Sequence, residues 1–365
     1  MPEKFPVVAI IPSLNPDDKL PLVVKGLFEC GFSDVILVDD GSRDDCKIIF
    51  DQLEKLDGCK VLRHECNKGK GRALKTAFSY YCDNYDLSYY CGVVTADADG
   101  QHLPKDILKT AQSLFTKDGA VKNLVALGTR DFNEEQVPFK SRNGNKITTF
   151  VFKLLYGKHI NDTQTGLRAI SNDFVQKCIT IEGERFEYEI NMLIQMVRSK
   201  VAFEEVIIET VYFDSNRETH FHPVRDSFKI YKVMLGTFFK FASSGLISVL
   251  LDQGLFNILQ KLVFSVFSAS FSIFISTAIA RIISSLVNYS LNRKVVFKSD
   301  EAGHKSLVKY YILCALQLLT SAFLVTVLHT VTTLDAAIWK ILVDTVLFFV
   351  SYHIQRNWVF KKVKK

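Results

Sequence analysis

Two carboxylates, Asp97 and Asp99, stand one residue apart directly after the short apolar run of residues 91–95. An apolar run that ends in polar residues is typical of a buried strand followed by a loop. Carboxylates spaced in this way can bind a hard divalent cation and leave coordination positions for the oxygens of a diphosphate. Because aspartate pairs are also common on solvated loops, the pair alone is a weak indication of such a site.

A loop rich in glycine and lysine, residues 67–72, precedes a predicted helix at residues 73–85. Backbone N–H groups at the start of a helix attract anions, so this loop could bind phosphate or shape a donor pocket. It lacks the spacing of a Walker loop. Arg130 and Arg142 add guanidinium groups suited to bidentate phosphate contacts, although Arg142 could instead be a simple surface charge.

Five short apolar runs alternate with helical spacing in the first 130 residues, which predicts a mostly parallel α/β sheet. Ligands bind at the carboxyl ends of the strands in such sheets, so the loops after these runs are expected to meet in one crevice. Any one loop could be a plain turn, but five in succession favour a shared binding site. The five loops are residues 13–15, 39–42, 67–71 and 97–102, and the loop that begins at Arg130.

Charge and hydropathy divide the 365 residues into two predicted domains, 1–225 and 226–365. The first carries 29 Lys and Arg against 33 Asp and Glu, whereas the second carries 16 against 6 and contains the long apolar runs. An acidic domain followed by a basic, apolar one predicts an enzyme beside a membrane rather than a nucleic-acid binder. The eight cysteines form no Cys-x-x-Cys pair and are interpreted as reduced thiols.

Four apolar stretches of about 20 residues predict an all-α bundle of four transmembrane helices. Basic residues cluster before the first stretch, between the second and third, and after the fourth. By the positive-inside rule, both termini and the first domain are then cytosolic. Residues 289–297 also match residues 352–360 at a constant offset of 63, which predicts two tandem helical hairpins. The predicted helices span about residues 241–260, 263–288, 310–331 and 336–355.

Three charged residues fall inside the apolar stretches, where unpaired charge is costly. Arg281 is predicted to pair with Asp344 or with Asp252. Such a pair could join the helices or take part in lipid handling. Two further segments, residues 140–156 and 226–239, combine apolar faces with basic residues, so each is predicted to lie on the membrane surface. The alternative for both segments is core packing of the first domain.

Several ordered motifs give residues 6–230 a resemblance to family 2 glycosyltransferases, nearest to the dolichyl- or undecaprenyl-phosphate sugar synthases. The last 126 residues resemble the GtrA-like membrane domain, which accompanies such enzymes. The motifs of the first domain are Val38-Asp39-Asp40-Gly41-Ser42, Asn67-Lys68-Gly69-Lys70-Gly71, Asp97-Ala98-Asp99-Gly100-Gln101-His102, Asp162 to Arg168, Arg185 to Glu189, and His220 to Arg225.

The resemblance implies a GT-A (Rossmann-like) α/β domain, with catalytic roles for Asp97, Asp99 and Arg142. It implies Mg²⁺ or Mn²⁺ on Asp97, Asp99 and Gln101. The family usually has Asn-Glu near Pro12, whereas here Pro16 and Asp17 follow Asn15, so Asp17 could substitute. Acceptor contacts are implied for Arg142, Lys146, Arg225 and Lys229. Donor contacts are implied for Pro12, Asn15, Asp17, Asp39, Asp40, Gly41, Lys68, Gly69, Ala98, Arg130, Asp162, Gln164, Arg168 and Glu187.

The function implied is transfer of one sugar from a GDP- or UDP-sugar to a polyprenyl or dolichyl phosphate, with inversion and a divalent cation. The partners are then a nucleotide-sugar donor, a polyprenyl-phosphate lipid and the cytoplasmic membrane, without nucleic acid, and a homo-oligomer is left open. One alternative is transfer to another lipid, such as diacylglycerol or ceramide. A second alternative, from a different class, is a flippase for lipid-linked sugars with a loading domain.

Overall fold

A computed structural model describes residues 5–132, 139–209, 223–263, 269–332 and 334–361. The chain divides into two compact units, Met1–Met234 and Leu235–Lys365. Three predicted features extend outside the described residues. They are residues 220–222 of the His220 to Arg225 motif, residues 264–268 of the second predicted transmembrane helix, and the lysines Lys362, Lys364 and Lys365 of the basic cluster after the fourth apolar stretch.

The first unit is built on a seven-stranded sheet with the order β3-β2-β1-β4-β6-β5-β7. Strand β6 runs antiparallel to both of its neighbours, and every other pairing is parallel. The strands are β1 (Val7–Ser13), β2 (Val35–Asp39), β3 (Cys59–Arg63), β4 (Gly92–Thr95), β5 (Leu124–Arg130), β6 (Arg168–Ser171) and β7 (Ala202–Ile208).

Among the described residues, seven helices lie wholly within the first unit and accompany the sheet. Strands β1, β2 and β4 are buried along their whole length, as expected of parallel strands covered on both faces. Helix α1 packs through Leu20, Val23, Val24 and Leu27, which recur at helical spacing. The helices are α1 (Lys19–Glu29), α2 (Asp44–Leu53), α3 (Lys70–Asn84), α4 (Pro104–Gln112), α5 (Phe139–Tyr156), α6 (Asn172–Ile179) and α7 (Glu187–Arg198).

The register of the sheet brings the strand ends to one edge. Ser13 pairs with Asp39, and Asp39 pairs with Arg63, so β1, β2 and β3 end level with one another. Thr95, the last residue of β4, pairs with Arg168, at which the antiparallel β6 begins. The polar loops therefore meet at the carboxyl edge of the sheet, as predicted.

The α/β GT-A class predicted for the first unit is confirmed, but β6 and β7 are not among the strands that the sequence predicts. Strand β6 has only four residues and lies inside a polar motif. Strand β7 lies at the edge of the sheet beside β5, and it carries two adjacent glutamates, Glu204 and Glu205. Such a sequence lacks the continuous apolar run that marked the central strands, because an edge strand is buried less completely.

The second unit is all-α, as predicted. Its helices are α8 (Pro223–Val263), which begins in the first unit, α9 (Ala269–Leu291), α10 (Gly303–Val331) and α11 (Ala336–Ile354). All four are long and apolar enough to cross a membrane. The second predicted span starts at residue 263, whereas Val263 belongs to α8 and α9 begins at Ala269. Residues 263–268 contain no charge, glycine or proline, so the sequence pattern does not separate α8 from α9.

The predicted repeat appears as two π-helical turns, Asn292–Val296 after α9 and Gln355–Val359 after α11, at the same offset of 63 residues. Equivalent residues of the two turns bond to each other, because Asn292 Nδ2 donates to Gln355 Oε1 over 3.0 Å. Asn292 Oδ1 also accepts from Ser244 Oγ on α8 over 2.5 Å. All three residues are buried, so these bonds satisfy polar groups inside an apolar bundle.

Aromatic rings near these turns pack against rings of the other repeat. The ring of Tyr289 lies 5.6 Å from that of Phe360, and the ring of Tyr352 lies 5.9 Å from that of Phe297. The rings of Phe297 and Phe360, which are equivalent in the repeat, stack at 5.5 Å. Each hairpin therefore packs its aromatic end against the other hairpin.

The predicted pairing of Arg281 with Asp252 is confirmed, with 3.4 Å between Arg281 Nη2 and Asp252 Oδ2. Asp252 also accepts from Ser284 Oγ over 2.9 Å. The alternative partner Asp344 instead pairs with Lys340, one turn away on α11, at 2.9 Å. Each of these intramembrane carboxylates thus has a cation within reach.

Replacing Asn292 by alanine is expected to destabilise the second unit. Asn292→Ala leaves the hydroxyl of Ser244 and the amide of Gln355 without this partner in an apolar environment, at a cost of about 1–2 kcal/mol in the free energy of unfolding. Thermal unfolding in detergent measures the change. Ser290→Ala is the control, since that exposed hydroxyl bonds to Leu286 O of its own helix. Equal melting temperatures for the two variants would contradict the expectation.

Candidate functional site

The Asp97 and Asp99 carboxylates follow β4 at the carboxyl edge of the sheet. Thr95, the last residue of β4, donates from Oγ1 to the carbonyl of Gly166 over 2.8 Å. This contact holds the Gly166 backbone beside the pair, where an added Cβ would lie 2.6 Å from Asp97 Oδ2. Glycine at position 166 therefore leaves room for the Asp97 carboxylate.

A lysine ammonium lies between two carboxylates at this edge. Lys70, the first residue of α3, places Nζ 2.6 Å from Asp97 Oδ1 and 3.0 Å from Glu189 Oε1 on α7. Burial would lower the pKa of Lys70, but the two carboxylates outweigh it and raise that pKa. Burial would likewise raise the pKa of Asp97, but Lys70 and His102 lower it to about 2. Both groups are therefore charged at neutral pH.

The second carboxylate differs from the first in its surroundings. Asp99 is exposed at the surface, and its Oδ1 accepts from the backbone N–H of Gln101 over 3.0 Å. Partial loss of hydration and the nearby negative charge of Asp97 raise the pKa of Asp99. The pair thus consists of one carboxylate held by lysine and one open to solvent.

The donor set of the pair fits a hard divalent cation that shares its coordination with a substrate. Within the described residues, no group of three or more His, Cys, Asp or Glu side chains is arranged to hold a metal ion. Magnesium is commonly held by one or two carboxylates together with substrate phosphates, so a third protein carboxylate is not required. Asp97 and Asp99 meet this description.

The Asp40 carboxylate fixes the glycine–lysine loop. Its Oδ1 accepts from the backbone N–H of Lys68 over 2.9 Å, and its Oδ2 accepts from that of Gly69 over 2.7 Å. His64 Nδ1 lies 2.7 Å from Oδ1. Asp40 is 4% exposed, so its predicted donor-binding role is accompanied by a structural one. It holds the two residues that precede Lys70.

The Asp39 carboxylate shapes the loop after β2. Its Oδ1 accepts from the Ser42 N–H over 2.8 Å, across Gly41, which has a φ of 75°. Asn15 joins the first loop to this one, because its N–H donates to Ser42 Oγ and its Oδ1 accepts from the Arg43 N–H, each over 2.8 Å. These predicted donor-binding residues therefore form one bonded group.

Three other predicted donor residues are Pro12, Ala98 and Asp17. Pro12 is buried in β1 opposite Val38 of β2. Ala98 separates the two carboxylates of the pair. Asp17 forms an ion pair with Lys19 at 2.8 Å, at the start of α1. This contact gives Asp17 a local partner, and its substitution for the glutamate of the family stays a prediction.

Arg130, at the end of β5, is held by a buried carboxylate. Its Nε and Nη2 donate to the two oxygens of Asp162 over 2.7 and 3.0 Å, and Asp162 is 0% exposed. Asp162 Oδ1 also accepts from the N–H of Gln164, whose side chain is exposed. Bidentate pairing fixes the plane of the guanidinium, so Arg130 is oriented by Asp162.

Arg168 lies in the protein interior rather than on the crevice. It is 1% exposed, and it donates to the carbonyl of Thr165 over 3.0 Å and to that of Glu189 over 2.8 Å. It therefore ties β6 to α7. Glu187, predicted with it as a donor contact, starts α7 and accepts from the Glu184 N–H over 3.3 Å. Both residues position the helix that carries Glu189.

The four predicted acceptor residues lie on two helices that contact each other. Thr148 Oγ1 of α5 lies 3.1 Å from the hydroxyl of Tyr231 on α8, and the Tyr156 hydroxyl donates to the carbonyl of Met234 over 3.0 Å. Arg225 and Lys146 are exposed, and Lys229 is half-buried. The acceptor residues are Arg142 and Lys146 on α5, and Arg225 and Lys229 on α8.

Two residues that contact the carboxylate pair directly or through one partner, Lys70 and Glu189, were not among the predicted site residues. Both stand inside the motifs, in which the nearby residues Lys68 and Glu187 are the predicted donor contacts. A signal was available for Lys70, since a cation at the start of a helix opposes the helix dipole and indicates an acidic partner. The sequence offers no comparable signal for Glu189.

Two family descriptions match the chain. Residues 8–178 match glycosyl transferase family 2, and residues 240–360 match the GtrA/DPMS transmembrane domain.

Three similar proteins align with its first part. An uncharacterised protein of Methanocaldococcus jannaschii is 31% identical over 214 residues, which are 57% of this chain and 83% of that protein. A UDP-N-acetylglucosamine–dolichyl-phosphate N-acetylglucosaminyltransferase of Methanococcus voltae is 31% identical over 223 residues, covering 56% and 86%. A polyprenol monophosphomannose synthase of Mycolicibacterium smegmatis is 25% identical over 209 residues, covering 55% and 76%.

Loss of the Asp40 carboxylate is expected to destabilise the first unit. Asp40→Asn replaces one of two accepting oxygens by an N–H donor, so at least one backbone N–H of the loop loses its partner. The free energy of unfolding should fall by about 1–3 kcal/mol. Urea unfolding followed by circular dichroism measures it, and Asp83→Asn, at an exposed position on α3, is the control. A fall no larger than that of the control would contradict the structural role of Asp40.

Proposed function

The chain belongs to glycosyl transferase family 2 and carries a GtrA/DPMS transmembrane domain, and on this premise we propose that it transfers one sugar from a nucleotide donor to a polyprenyl phosphate. The observation that carries the proposal is the Asp97–Asp99 pair beside the Lys70 ammonium, at the carboxyl edge of the sheet. Carboxylates and a cation at this edge suit the diphosphate of a GDP- or UDP-sugar. The proposed acceptor class is supported by the names of two relatives, a dolichyl-phosphate N-acetylglucosaminyltransferase and a polyprenol monophosphomannose synthase.

The reaction that we propose is a single displacement with inversion at the anomeric carbon. A phosphate oxygen of the lipid forms a bond to this carbon as its bond to the nucleoside diphosphate breaks. A phosphate monoester is largely ionised near neutral pH, since its second pKa is about 6, so the nucleophile needs no strong general base. The protein then mainly positions the reactants and stabilises charge.

The chain's own groups have distinct roles in this proposal. Arg130, oriented by Asp162, and Arg142 contact the phosphates of donor and acceptor. Asp97 and Asp99, with Gln101, would hold the divalent cation. When bound, such a cation supplies positive charge to the diphosphate leaving group.

The membrane part of the proposal rests on helix α5 as well as on the four apolar helices. Ile147 is 56% exposed and Phe150 is 65% exposed, and Lys146 beside them is exposed as well. Phe152 and Leu155, on the other side of the helix, are buried. An exposed apolar face next to a lysine suits the boundary between headgroups and acyl chains. We propose that α5 touches the membrane surface there.

The orientation that we propose follows the distribution of basic residues. Lysines and arginines lie before α8 enters its apolar part, between α9 and α10, and after α11. The positive-inside rule then assigns these three segments, both termini and the first unit to the cytosol. In this orientation a cytosolic nucleotide sugar and a lipid phosphate reach the same face of the membrane.

A lipid-linked product is expected when the purified chain is incubated with radiolabelled UDP- or GDP-sugars, a polyprenyl phosphate and Mg²⁺ or Mn²⁺. Asp99→Ala should lower the rate at least about 100-fold, the scale of losing one electrostatic contact to developing charge. Asp118→Ala, at another exposed position, is the control. Product formation that resists both Asp99→Ala and chelation would overturn the proposal.

Aspartate at the apolar face of α5 is expected to slow transfer to a long lipid. The double substitution of Ile147 and Phe150 by aspartate removes burial worth about 1.5–3 kcal/mol for each side chain, so activity in vesicles should fall about tenfold or more. Binding of the nucleotide should not change. Ile48→Asp is the control, because Ile48 on α2 is 60% exposed. An equal effect of the control would contradict the role of α5.

A further inference from the structure

The Lys70 ammonium is fixed beside the predicted cation ligands. The side chains of Lys70, Asp97 and Glu189 are 19%, 30% and 13% exposed. The bonds of Asp40 to the preceding backbone set the start of α3. On the next residue, an added Cβ at Gly71 would lie 2.5 Å from Tyr188 Cβ of α7. Helices α3 and α7 are therefore in close contact at this point. Because this packing restricts the backbone of Lys70, the position of the ammonium is restricted too.

This placement creates a conflict of charge. Lys70 Nζ is 2.6 Å from Asp97 Oδ1, so a divalent cation on Asp97 and Asp99 would lie within a few ångströms of a fixed positive charge. Like charges at this range repel strongly where water is partly excluded. The repulsion weakens cation binding as long as no further negative charge is present.

A diphosphate removes the conflict because its oxygens can face both the cation and the ammonium. Each positive group then stabilises the same anion, and the repulsion between them is offset. By linkage, a diphosphate that strengthens cation binding is itself bound more strongly by the same factor when the cation is present.

We propose that Lys70 couples cation binding to donor binding: it disfavours the divalent cation in the donor-free protein and joins it on the diphosphate when the donor binds. Lys70 would thus contact the diphosphate itself, and it acts on the cation through the repulsion between the two positive charges. Glu189 also takes part in the coupling. It forms a second ion pair with the Lys70 ammonium and so partly neutralises the positive charge beside Asp97. This inference rests on the proposed function, since it assumes a nucleotide donor and a cation.

The coupling is measured as Mn²⁺ affinity of the full chain in detergent, by electron paramagnetic resonance, without and with saturating UDP or GDP. In the unsubstituted protein, one of the two diphosphates is expected to raise Mn²⁺ affinity at least about tenfold. Lys70→Gln should bind Mn²⁺ alone several-fold more tightly and lose most of the enhancement, and Lys70→Arg should restore part of it. No enhancement by either diphosphate in the unsubstituted protein, or no change in Lys70→Gln, would overturn the inference.

Arg72→Gln provides the matched control. Arg72 carries the same charge on the same turn of α3, but it pairs with Glu184 at 2.5 Å rather than with Asp97. The enhancement by diphosphate should persist in this variant. If Arg72→Gln lowered it as much as Lys70→Gln, a general loss of positive charge would explain the result and the specific role of Lys70 would be wrong.

A second variant keeps the lysine and is expected to change Mn²⁺ affinity in the opposite direction. Glu189→Gln leaves the ammonium to Asp97 alone, so Mn²⁺ without diphosphate should bind more weakly. This effect should vanish when Glu189→Gln is combined with Lys70→Gln, because it acts through Lys70. An equal effect in both backgrounds would contradict the coupling. These are binding measurements, so a missing lipid product would overturn the proposed acceptor while leaving the coupling intact.

Discussion

The buried carboxylate of Asp40 is the constraint on which the candidate site depends. It accepts from two successive backbone N–H groups and contacts His64, and in this way fixes where α3 begins. The first residue of α3 is Lys70, so the position of the ammonium between Asp97 and Glu189 follows from that start. The sheet brings the strand ends together at one edge, and Asp40 determines where the Lys70 ammonium lies at that edge.

The sequence predicted the central strands and the position of the carboxylate pair well, for a physical reason. Parallel strands covered on both faces are continuous apolar runs, and β1, β2 and β4 are of this kind. The edge strand β7 carries glutamates and lacks that pattern. Short β6 is defined by its pairing with strands distant in sequence, which no local pattern encodes.

The candidate site shows the same difference between local sequence patterns and contacts that form only in the fold. Motifs show which loops carry chemistry, but not which side chain of a loop faces the crevice. Arg168 has the residue type of a phosphate ligand, yet it turns inward and donates to the backbone carbonyls of Thr165, just before β6, and of Glu189 on α7. Lys70 and Glu189 lie 119 residues apart in sequence, and only the packing of α3 against α7 brings them to one ammonium–carboxylate contact.

In the second unit, the sequence repeat predicts two helical hairpins but not that equivalent residues of the two repeats contact each other. The structure shows that equivalent residues meet each other: Asn292 bonds to Gln355, and Tyr289 and Tyr352 each pack on the phenylalanine of the other repeat. These are the contacts of a two-fold dimer carried by one polypeptide. Because the two halves are tethered, their effective concentration is set by the chain and not by the amount of protein in the bilayer. The bundle therefore keeps its two-fold packing even where the protein is scarce.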